Sequence, residues 1–319
     1  MAQRVGGGSG RFRQRTERAG RAHAILRRPP SHPTAVKPRR LLHHLRRALA
    51  LPHLASGGAG PWGVFRTSLH LGRLAEGPGG PGTGRVLGRT LHAPDVTSLL
   101  FLFEEVFLER DYAVDLDTDH PRILDCGANI GMATLWFALR WPGASIEAFE
   151  PNPEAVAALR RTLEDNALAS RVTLHPIAVG RFAGRATLAA DAERGASLTA
   201  SLAPGRGEGT NRHEVEVRRL SEFVGEGADL LKLDVEGLEL EVLDELRTAG
   251  ALDRIRHVVC EIHHDPERRP RIVRDVTGLL TDAGFAVERR AVRPAGATSA
   301  VAHDVLVAAH RMTRDASSA

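Results

Sequence analysis

A short loop with one acid, two glycines and an asparagine is the segment of this sequence with the clearest chemistry. The segment ILDCGANIGMATLWFA (123–138) predicts an apolar strand ending near Asp125, a tight turn, and a helix beginning near Gly131. Gly127 would let the backbone approach a ligand closely, and Gly131 would let the helix pack near the strand. Because ligands of open α/β sheets bind at the carboxyl ends of strands, the loop predicts a binding site.

The residue types in this loop exclude two phosphate-binding motifs. It lacks a Lys followed by Ser or Thr, so it is not a P-loop. Asn129 occupies the second glycine position of G-x-G-x-x-G, the loop that accepts a pyrophosphate. Asp125 instead places a carboxylate where a cation could bind. S-adenosylmethionine (SAM) carries a sulfonium and an amino group and no phosphate, so this loop suits SAM better than NAD.

A second acid ends the next apolar run of the chain. Glu150 ends SIEAFE (145–150), and a carboxylate at that position can accept both ribose hydroxyls, as in dinucleotide folds. The competing interpretation is that Glu150 caps the helix that begins at 151–153. Ala178, in the later segment IAVG (177–180), is small enough to flank an adenine ring, although such residues are equally suited to a core.

Three charged residues alternate along LLKLDV (230–235) and its exit. Lys232, Asp234 and Glu236 would point to one face of the sheet, where unpaired charges are costly to bury. We therefore expect Asp234 to act as a base or to orient a hydroxyl group. The alternative is a structural ion pair of Lys232 with a carboxylate, with Glu236 favoured by the dipole of the next helix.

Further candidates lie after the next strand and in an insert. Glu261 or His263 could serve as general base, since histidine titrates in the useful pH range. His263, His264 and Asp265 could suggest a metal, but neighbours on an extended segment point apart, so we assign no metal site. Ser197 is the predicted substrate residue of the polar segment 194–202.

The elements that would position these residues alternate regularly from residue 121. Short apolar runs separated by helical patterns predict a doubly wound α/β fold with a largely parallel sheet. The runs at 186–190 and 214–220 predict an inserted hairpin. Two closing runs, at 286–292 and 304–310, have no helix between them, which predicts an antiparallel hairpin at the sheet edge.

Three regions follow from composition. Residues 1–60 predict a disordered basic segment, 61–118 a lead-in strand and helix that pack on the next domain, and 119–312 that domain itself. Residues 1–50 carry a net charge of +12 and the rest of the chain carries −8. A domain of that charge disfavours a nucleic-acid substrate. The two cysteines, Cys126 and Cys260, are expected in buried strands.

The sequence resembles the FkbM family of class I SAM-dependent methyltransferases over roughly residues 85–310. The matching segments are DCGANIG (125–131), FEPNP (149–153), IAVG (177–180), LLKLDVEGLELEVL (230–243) and VVCEIH (258–263). The resemblance implies a seven-stranded sheet and O-methylation of a hydroxyl group; known family substrates include sugars and polyketide-type natural products. It also implies that Asp125, Gly127, Asn129, Gly131 and Glu150 line the cofactor site, to which we add Ala128, Pro151 and Ala178.

The expected function is therefore SAM-dependent O-methylation of a small-molecule, sugar or polyketide-type hydroxyl, in the cytoplasm. One alternative is a nucleic-acid methyltransferase anchored by the basic N-terminal segment. Against it stand the acidic domain and an aromatic content of only 4%, since base stacking needs aromatic side chains. The other alternative is a non-catalytic SAM-binding module. No run of apolar residues is long enough for a membrane span.

Overall fold

A computed structural model of the chain describes Leu42 and residues 60–190, 211–263, 267–291 and 305–311. These residues belong to one compact unit, Pro33–Ala319. Ser197, His264, Asp265 and nearly all of the predicted basic segment 1–60 lie outside the described residues. Within the described part, no helix is long and apolar enough to cross a membrane.

The lead-in region forms a helix, a hairpin and a second helical segment. Helix α1 spans Gly60–Ala75, and strands β1 (Gly82–Val86) and β2 (Arg89–Ala93) pair antiparallel. A 3-10 turn at Val96–Ser98 is capped by Asp95, whose carboxylate accepts the Thr97 N–H. It continues into α2 (Leu99–Phe103) and then into a π-helical segment at Glu104–Glu109.

Helix α1 was not predicted, although a signal was present. Its buried residues include Val64, Ser68, Leu71 and Ala75, which recur every three or four positions on one helix face. The predicted division at residue 60 treated this segment only as the beginning of a lead-in region.

The remaining elements build a mostly parallel sheet with helices between its strands, which confirms the predicted fold class. The strands are β3 (Arg122–Cys126), β4 (Ser145–Phe149), β5 (Val172–His175), β6 (Ala178–Gly180), β7 (Gly184–Ala190), β8 (Asn211–Arg219), β9 (Ala228–Leu233), β10 (Ile255–Ile262), β11 (Phe285–Ala291) and β12 (Val305–Arg311). The helices are α3 (Met132–Arg140), α4 (Pro153–Asp165), α5 (Ser221–Val224), α6 (Glu239–Thr248) and α7 (Arg269–Asp282), with a 3-10 turn at Leu252–Arg254.

Seven strands form the main sheet in the order β11-β12-β10-β9-β3-β4-β5. All contacts from β10 to β5 are parallel, and β12 runs antiparallel to both β10 and β11. The predicted antiparallel hairpin at the sheet edge is confirmed, with β11 as the edge strand and β12 one strand further in. The chain forms the edge of the sheet as β11 and then turns back to run between β11 and β10 as β12.

The single apolar run predicted at 172–179 divides into two strands in different sheets. Pro176 separates β5 from β6, and proline has no N–H to continue a ladder. Strand β6 pairs parallel with β8, which pairs antiparallel with β7 as the predicted inserted pair. The break carries residues 177–180 away from the main sheet, where they can face the cavity described below.

The core joins the lead-in region to the sheet. One apolar cluster contains Leu99, Phe103 and Phe107 together with residues of β3, β4 and α3. Backbone N–H groups of β2 donate to Thr162 and Asn166 of α4. Both cysteines are buried and unbonded, as expected from their strands.

Candidate functional site

A cavity lies at the carboxyl ends of β3, β4 and β9, beside β6. Seven of the predicted site residues line it: Gly127, Asn129, Glu150, Pro151, Ala178, Asp234 and Glu236. Apolar side chains complete it, among them Ile177, Val179 and Leu188. No Lys, Arg or His is among the described residues that line it, so the charged groups in its wall are carboxylates.

Glu150 connects the two loops at the centre of this cavity. Its Oε2 accepts the N–H of Asn129 at 2.8 Å and its Oε1 accepts the N–H of Asn152 at 2.8 Å. The cap of α4 is Asn152, which accepts the N–H of Glu154, so Glu150 is not the helix cap. Burial raises the pKa of Glu150 to about 7, against the opposing effect of these two hydrogen bonds.

Two glycines of the first loop are required by their surroundings. Gly127 has a φ of +79°, and a Cβ there would lie 1.8 Å from the carbonyl oxygen of Asp234. Gly131 has a φ of +91°, and its Cβ would lie 2.4 Å from Cδ1 of Leu159 in α4. The loop after β3 therefore touches the loop after β9 through Gly127 and packs on α4 through Gly131. Ala128 and Gly131 are not among the residues that line the cavity.

Asp125 and Lys232 lie beneath the cavity and do not line it. Asp125 is fully buried and accepts a hydrogen bond from Thr134 Oγ1 at 2.6 Å. Lys232 Nζ donates to the carbonyl of Gly127 at 2.6 Å and lies 3.4 Å from Asp125 Oδ1. Burial lowers the pKa of Lys232, but Asp234 and Asp125 outweigh it and leave the pKa raised. Lys232 therefore holds the binding loop as a charged group.

Asp234 is the carboxylate that links this buried pair to the cavity. Its Oδ2 lies 3.1 Å from Lys232 Nζ, and its Oδ1 lies 3.5 Å from His263 Nδ1. Burial favours a higher pKa for Asp234, but Lys232 and His263 outweigh it and hold the pKa below its usual range. Asp234 is thus ionised at neutral pH and can accept a hydrogen bond.

His263 is surrounded by carboxylates at the end of β10. Its Nε2 lies 3.4 Å from Glu261 Oε1 and its Nδ1 lies 3.5 Å from Glu239 Oε1. Burial would lower the pKa of His263, but Glu236 and Glu261 outweigh it, so the pKa is well above its ordinary value. An imidazolium at neutral pH donates hydrogen bonds and cannot take up a further proton, which makes His263 a poor general base.

Asp234, Glu236 and His263 could also hold a metal ion. Each offers one ligand atom, and these atoms lie within 4.8 Å of one another. This group differs from the run of His263, His264 and Asp265 that the sequence suggested, and it arises because β9 and β10 end side by side. Glu236 has a φ of +54° in the loop before α6, so it does not begin that helix as the alternative interpretation required.

Tyr112, from the lead-in region, is a site residue that the sequence analysis missed. Its hydroxyl lies 2.8 Å from Glu261 Oε2 and 3.1 Å from Asp234 Oδ2. The side chain is 3% exposed, and Lys232 Nζ lies 5.0 Å from the centre of its ring. Tyr112 is the only tyrosine in the sequence, but this alone does not indicate a role in the site. No sequence pattern near residue 112 points to partners at residues 234 and 261.

Comparisons with known proteins show which proteins this chain is similar to. Residues 125–287 match the methyltransferase FkbM domain. "Methyltransferase 1" of Beauveria bassiana is 33% identical, with 51% of this chain and 72% of that protein covered. The 31-O-demethyl-FK506 methyltransferase FkbM of Streptomyces tacrolimicus is 32% identical, with 63% and 86% covered. A solved FkbM methyltransferase from Methylobacillus flagellatus KT aligns with 18% identity and a TM-score of 0.45, covering 66% of this chain and 54% of that one.

Proposed function

This chain belongs to the FkbM methyltransferase family, and we propose that it transfers a methyl group from SAM to a hydroxyl group of a small molecule. The observation that carries the proposal is the carboxylate-lined cavity at the strand ends, in which Glu150 and Asp234 face a space without basic side chains among its described lining. Such a wall favours a cationic ligand and disfavours a phosphate.

The residues of the cavity fit SAM group by group. Glu150 would accept the ribose hydroxyls, since each of its oxygens can accept more than one hydrogen bond. Ile177, Ala178 and Val179 would flank the adenine ring with apolar surface. Asp234 and Glu236 would face the positive charge of the amino and sulfonium groups. When bound, SAM supplies an activated methyl group.

The residues of the chain then have to position the acceptor molecule and take up the proton of its hydroxyl group. Asp234 lines the cavity and is ionised, so its Oδ1 can accept the hydrogen bond of an acceptor hydroxyl and orient it. As the hydroxyl loses its proton, Asp234 Oδ1 receives it. Lys232 and Gly127 hold Asp234 in place from below. Glu261 is connected to Asp234 through Tyr112 and His263, which contact both carboxylates.

Oxygen as the methylated atom is supported by the relative from Streptomyces tacrolimicus, whose name describes a 31-O-demethyl substrate. A small-molecule acceptor is further supported by the wall of the cavity. Nucleic-acid recognition depends on basic groups that contact phosphates, and the described lining has none.

The test is transfer of an isotope-labelled methyl group from SAM to a panel of sugar and polyketide-type hydroxyl compounds. We expect at least one acceptor with the wild type, and Asp234→Asn should lower its turnover by about 100-fold or more while cofactor affinity is kept. Asp229→Asn is the matched control, since Asp229 lies on the same strand β9 and pairs with Arg256 instead. SAM binding without transfer to any acceptor would favour a non-catalytic module, and unchanged turnover in Asp234→Asn would remove Asp234 from the mechanism.

A further inference from the structure

Four side chains form a closed ring next to the proposed methyl-transfer site. Asp234 Oδ1 lies 3.5 Å from His263 Nδ1, and His263 Nε2 lies 3.4 Å from Glu261 Oε1. Glu261 Oε2 lies 2.8 Å from the Tyr112 hydroxyl, which lies 3.1 Å from Asp234 Oδ2. We call these residues the four-residue ring. Both carboxylate oxygens of Asp234 and both of Glu261 take part in these contacts.

The number of protons in the ring constrains how it works. A tyrosine hydroxyl has one proton, yet two carboxylate oxygens lie within hydrogen-bond distance of the Tyr112 oxygen. The hydroxyl can donate to only one of the two carboxylates at a time, while His263 contacts both and Lys232 contacts Asp234. The ring therefore binds its protons as a unit, and a change at one member alters the protonation of the others.

We propose that Tyr112 is a positioning residue for methyl transfer, which orients Asp234 by donating a hydrogen bond to Oδ2, the oxygen that the acceptor does not use. Burial raises the pKa of Asp234, whereas Lys232 and His263 lower it most, and the hydrogen bond from Tyr112 to Oδ2 adds to their effect. Oδ1 lies 3.5 Å from His263 Nδ1 and has a second lone pair that can receive the proton of the acceptor hydroxyl. The lead-in region thus completes the site that the strands of the sheet begin.

The path of the chain before Tyr112 explains how a residue outside the sheet reaches this place. The segment Glu104–Glu109 is π-helical, and Arg110 follows with a left-handed φ of 62°. π-helical turns are rare and frequently occur at functional sites. Burial raises the pKa of Glu105 in this segment well above its usual value, and the charges of Glu261 and Asp234 add to the effect. The π-helical segment ends three residues before Tyr112, and the turn at Arg110 brings the Tyr112 hydroxyl to the ring.

The contact can be tested without knowing the acceptor, because Tyr112 is the only tyrosine in the chain. The ultraviolet absorption of tyrosinate in the full-length protein therefore reports one group. Burial, Asp234 and Glu261 raise the pKa of Tyr112 well above its usual value. We expect no tyrosinate band at pH 10, where an ordinary tyrosine is half ionised, as long as the protein stays folded.

Glu261→Gln should lower the pH at which the band appears by about one unit, since it removes a charge that disfavours tyrosinate. Glu245→Gln is the matched control, because Glu245 is also buried and accepts from the Ser221 hydroxyl at 2.5 Å, away from Tyr112. Half-ionisation near pH 10 in the wild type would overturn the contact, as would the same onset in Glu261→Gln and Glu245→Gln.

The functional part of the inference rests on the proposed methyl transfer and uses Tyr112→Phe. This variant keeps the aromatic ring of residue 112 next to Lys232 and removes only the hydroxyl group. We expect a lower kcat with an unchanged Kd for S-adenosylhomocysteine, and an acidic limb of the pH–rate profile that moves to higher pH as Asp234 loses its donor. A profile identical to that of the wild type would contradict the positioning role even if the titration succeeds. Failure of cofactor binding in the wild type would instead contradict the proposed function alone.

Discussion

At the scale of single residues, the site depends on carboxylates with different protonation. Glu150 has a pKa raised to about 7 by burial, whereas the pKa of Asp234 is lowered because Lys232 and His263 outweigh burial. The first group is poised to change charge near neutral pH and the second stays ionised. This difference follows from the buried Lys232 and from His263, which both lie next to Asp234.

The pKa of Glu150 predicts a pH dependence of cofactor affinity. Ionised Glu150 is the better acceptor for ribose hydroxyls, so binding favours its deprotonated form. Affinity for S-adenosylhomocysteine should therefore be full above pH 7 and fall by up to about tenfold per unit below it. Calorimetric titrations from pH 5.5 to 8.5 measure this effect.

The variant Glu150→Gln is the control for this prediction. It should bind more weakly at pH 8 and lose the pH dependence, because the titrating group is gone. A wild type whose affinity does not change over this range would show that Glu150 does not couple to the cofactor.

Residues at strand ends were predictable and the lead-in partner was not. Glu150 and Asp234 follow apolar runs of recognisable length, so their position at one sheet edge follows from the alternation of strands and helices. Asp125 was placed correctly at the end of its strand, and the alternative that Lys232 forms an ion pair with a carboxylate is confirmed, but the sequence did not identify Asp125 as a partner. Tyr112 contacts Asp234 and Glu261, which lie 122 and 149 positions later in the sequence. No local sequence pattern indicates contacts over such a separation.

At the scale of elements, two loops meet through a glycine. The loop after β3 passes so close to the loop after β9 that Gly127 has no room for a side chain. The predicted reason for this glycine was approach to a ligand. The contact with Asp234 adds a second reason, because the glycine also sets the distance between the cofactor loop and the proposed catalytic carboxylate.

Gly127→Ala should therefore damage both stability and binding. Its Cβ would overlap the Asp234 carbonyl oxygen and its φ of +79° is strained for alanine. We expect a loss of more than about 1 kcal/mol in the free energy of unfolding, and weaker cofactor binding. Urea unfolding and calorimetry measure the two effects.

Gly278→Ala provides the opposite control. Gly278 lies in α7 with open space where its Cβ would be, so alanine should stabilise the protein by about 0.5–1 kcal/mol and leave binding unchanged. If Gly127→Ala behaved like Gly278→Ala, the close contact between the two loops would be refuted.

Elements with strong hydrophobic periodicity were predicted closely. Features that depend on which strands pair with one another in the folded protein were not. The strand predicted to end near Asp125 ends at Cys126, because apolar residues and a following glycine mark it clearly. The division of 172–179 at Pro176 and the position of β12 inside the sheet depend on which strand each segment pairs with. Pairing partners are set by packing and are not visible in a single apolar run.

At the scale of the whole molecule, the lead-in region and the sheet share one core. Phe107 is 1% exposed and belongs to the same apolar cluster as residues of β3, β4 and α3. Because Tyr112 also reaches the site, we propose that the region before residue 119 folds and functions together with the predicted methyltransferase domain.

A shared core predicts a single cooperative unfolding transition. Phe107→Ala should lower the free energy of unfolding by about 3–5 kcal/mol and move the transition as a whole. Phe101→Ala is the matched control on the same helix, because Phe101 is 38% exposed and its loss should change stability by no more than about 0.5 kcal/mol. Two separate transitions by tryptophan fluorescence and circular dichroism would mean that the regions fold independently.

The central claim is that the carboxylate-lined cavity binds SAM through Glu150, and the most direct measurement is calorimetric titration with S-adenosylhomocysteine. We expect micromolar binding by the wild type, loss of at least about tenfold in Glu150→Ala, and wild-type affinity in Glu154→Ala, whose exposed carboxylate lies four residues later in the first turn of α4. A folded wild type that does not bind, or a Glu150→Ala variant that binds as tightly as Glu154→Ala, would contradict the claim.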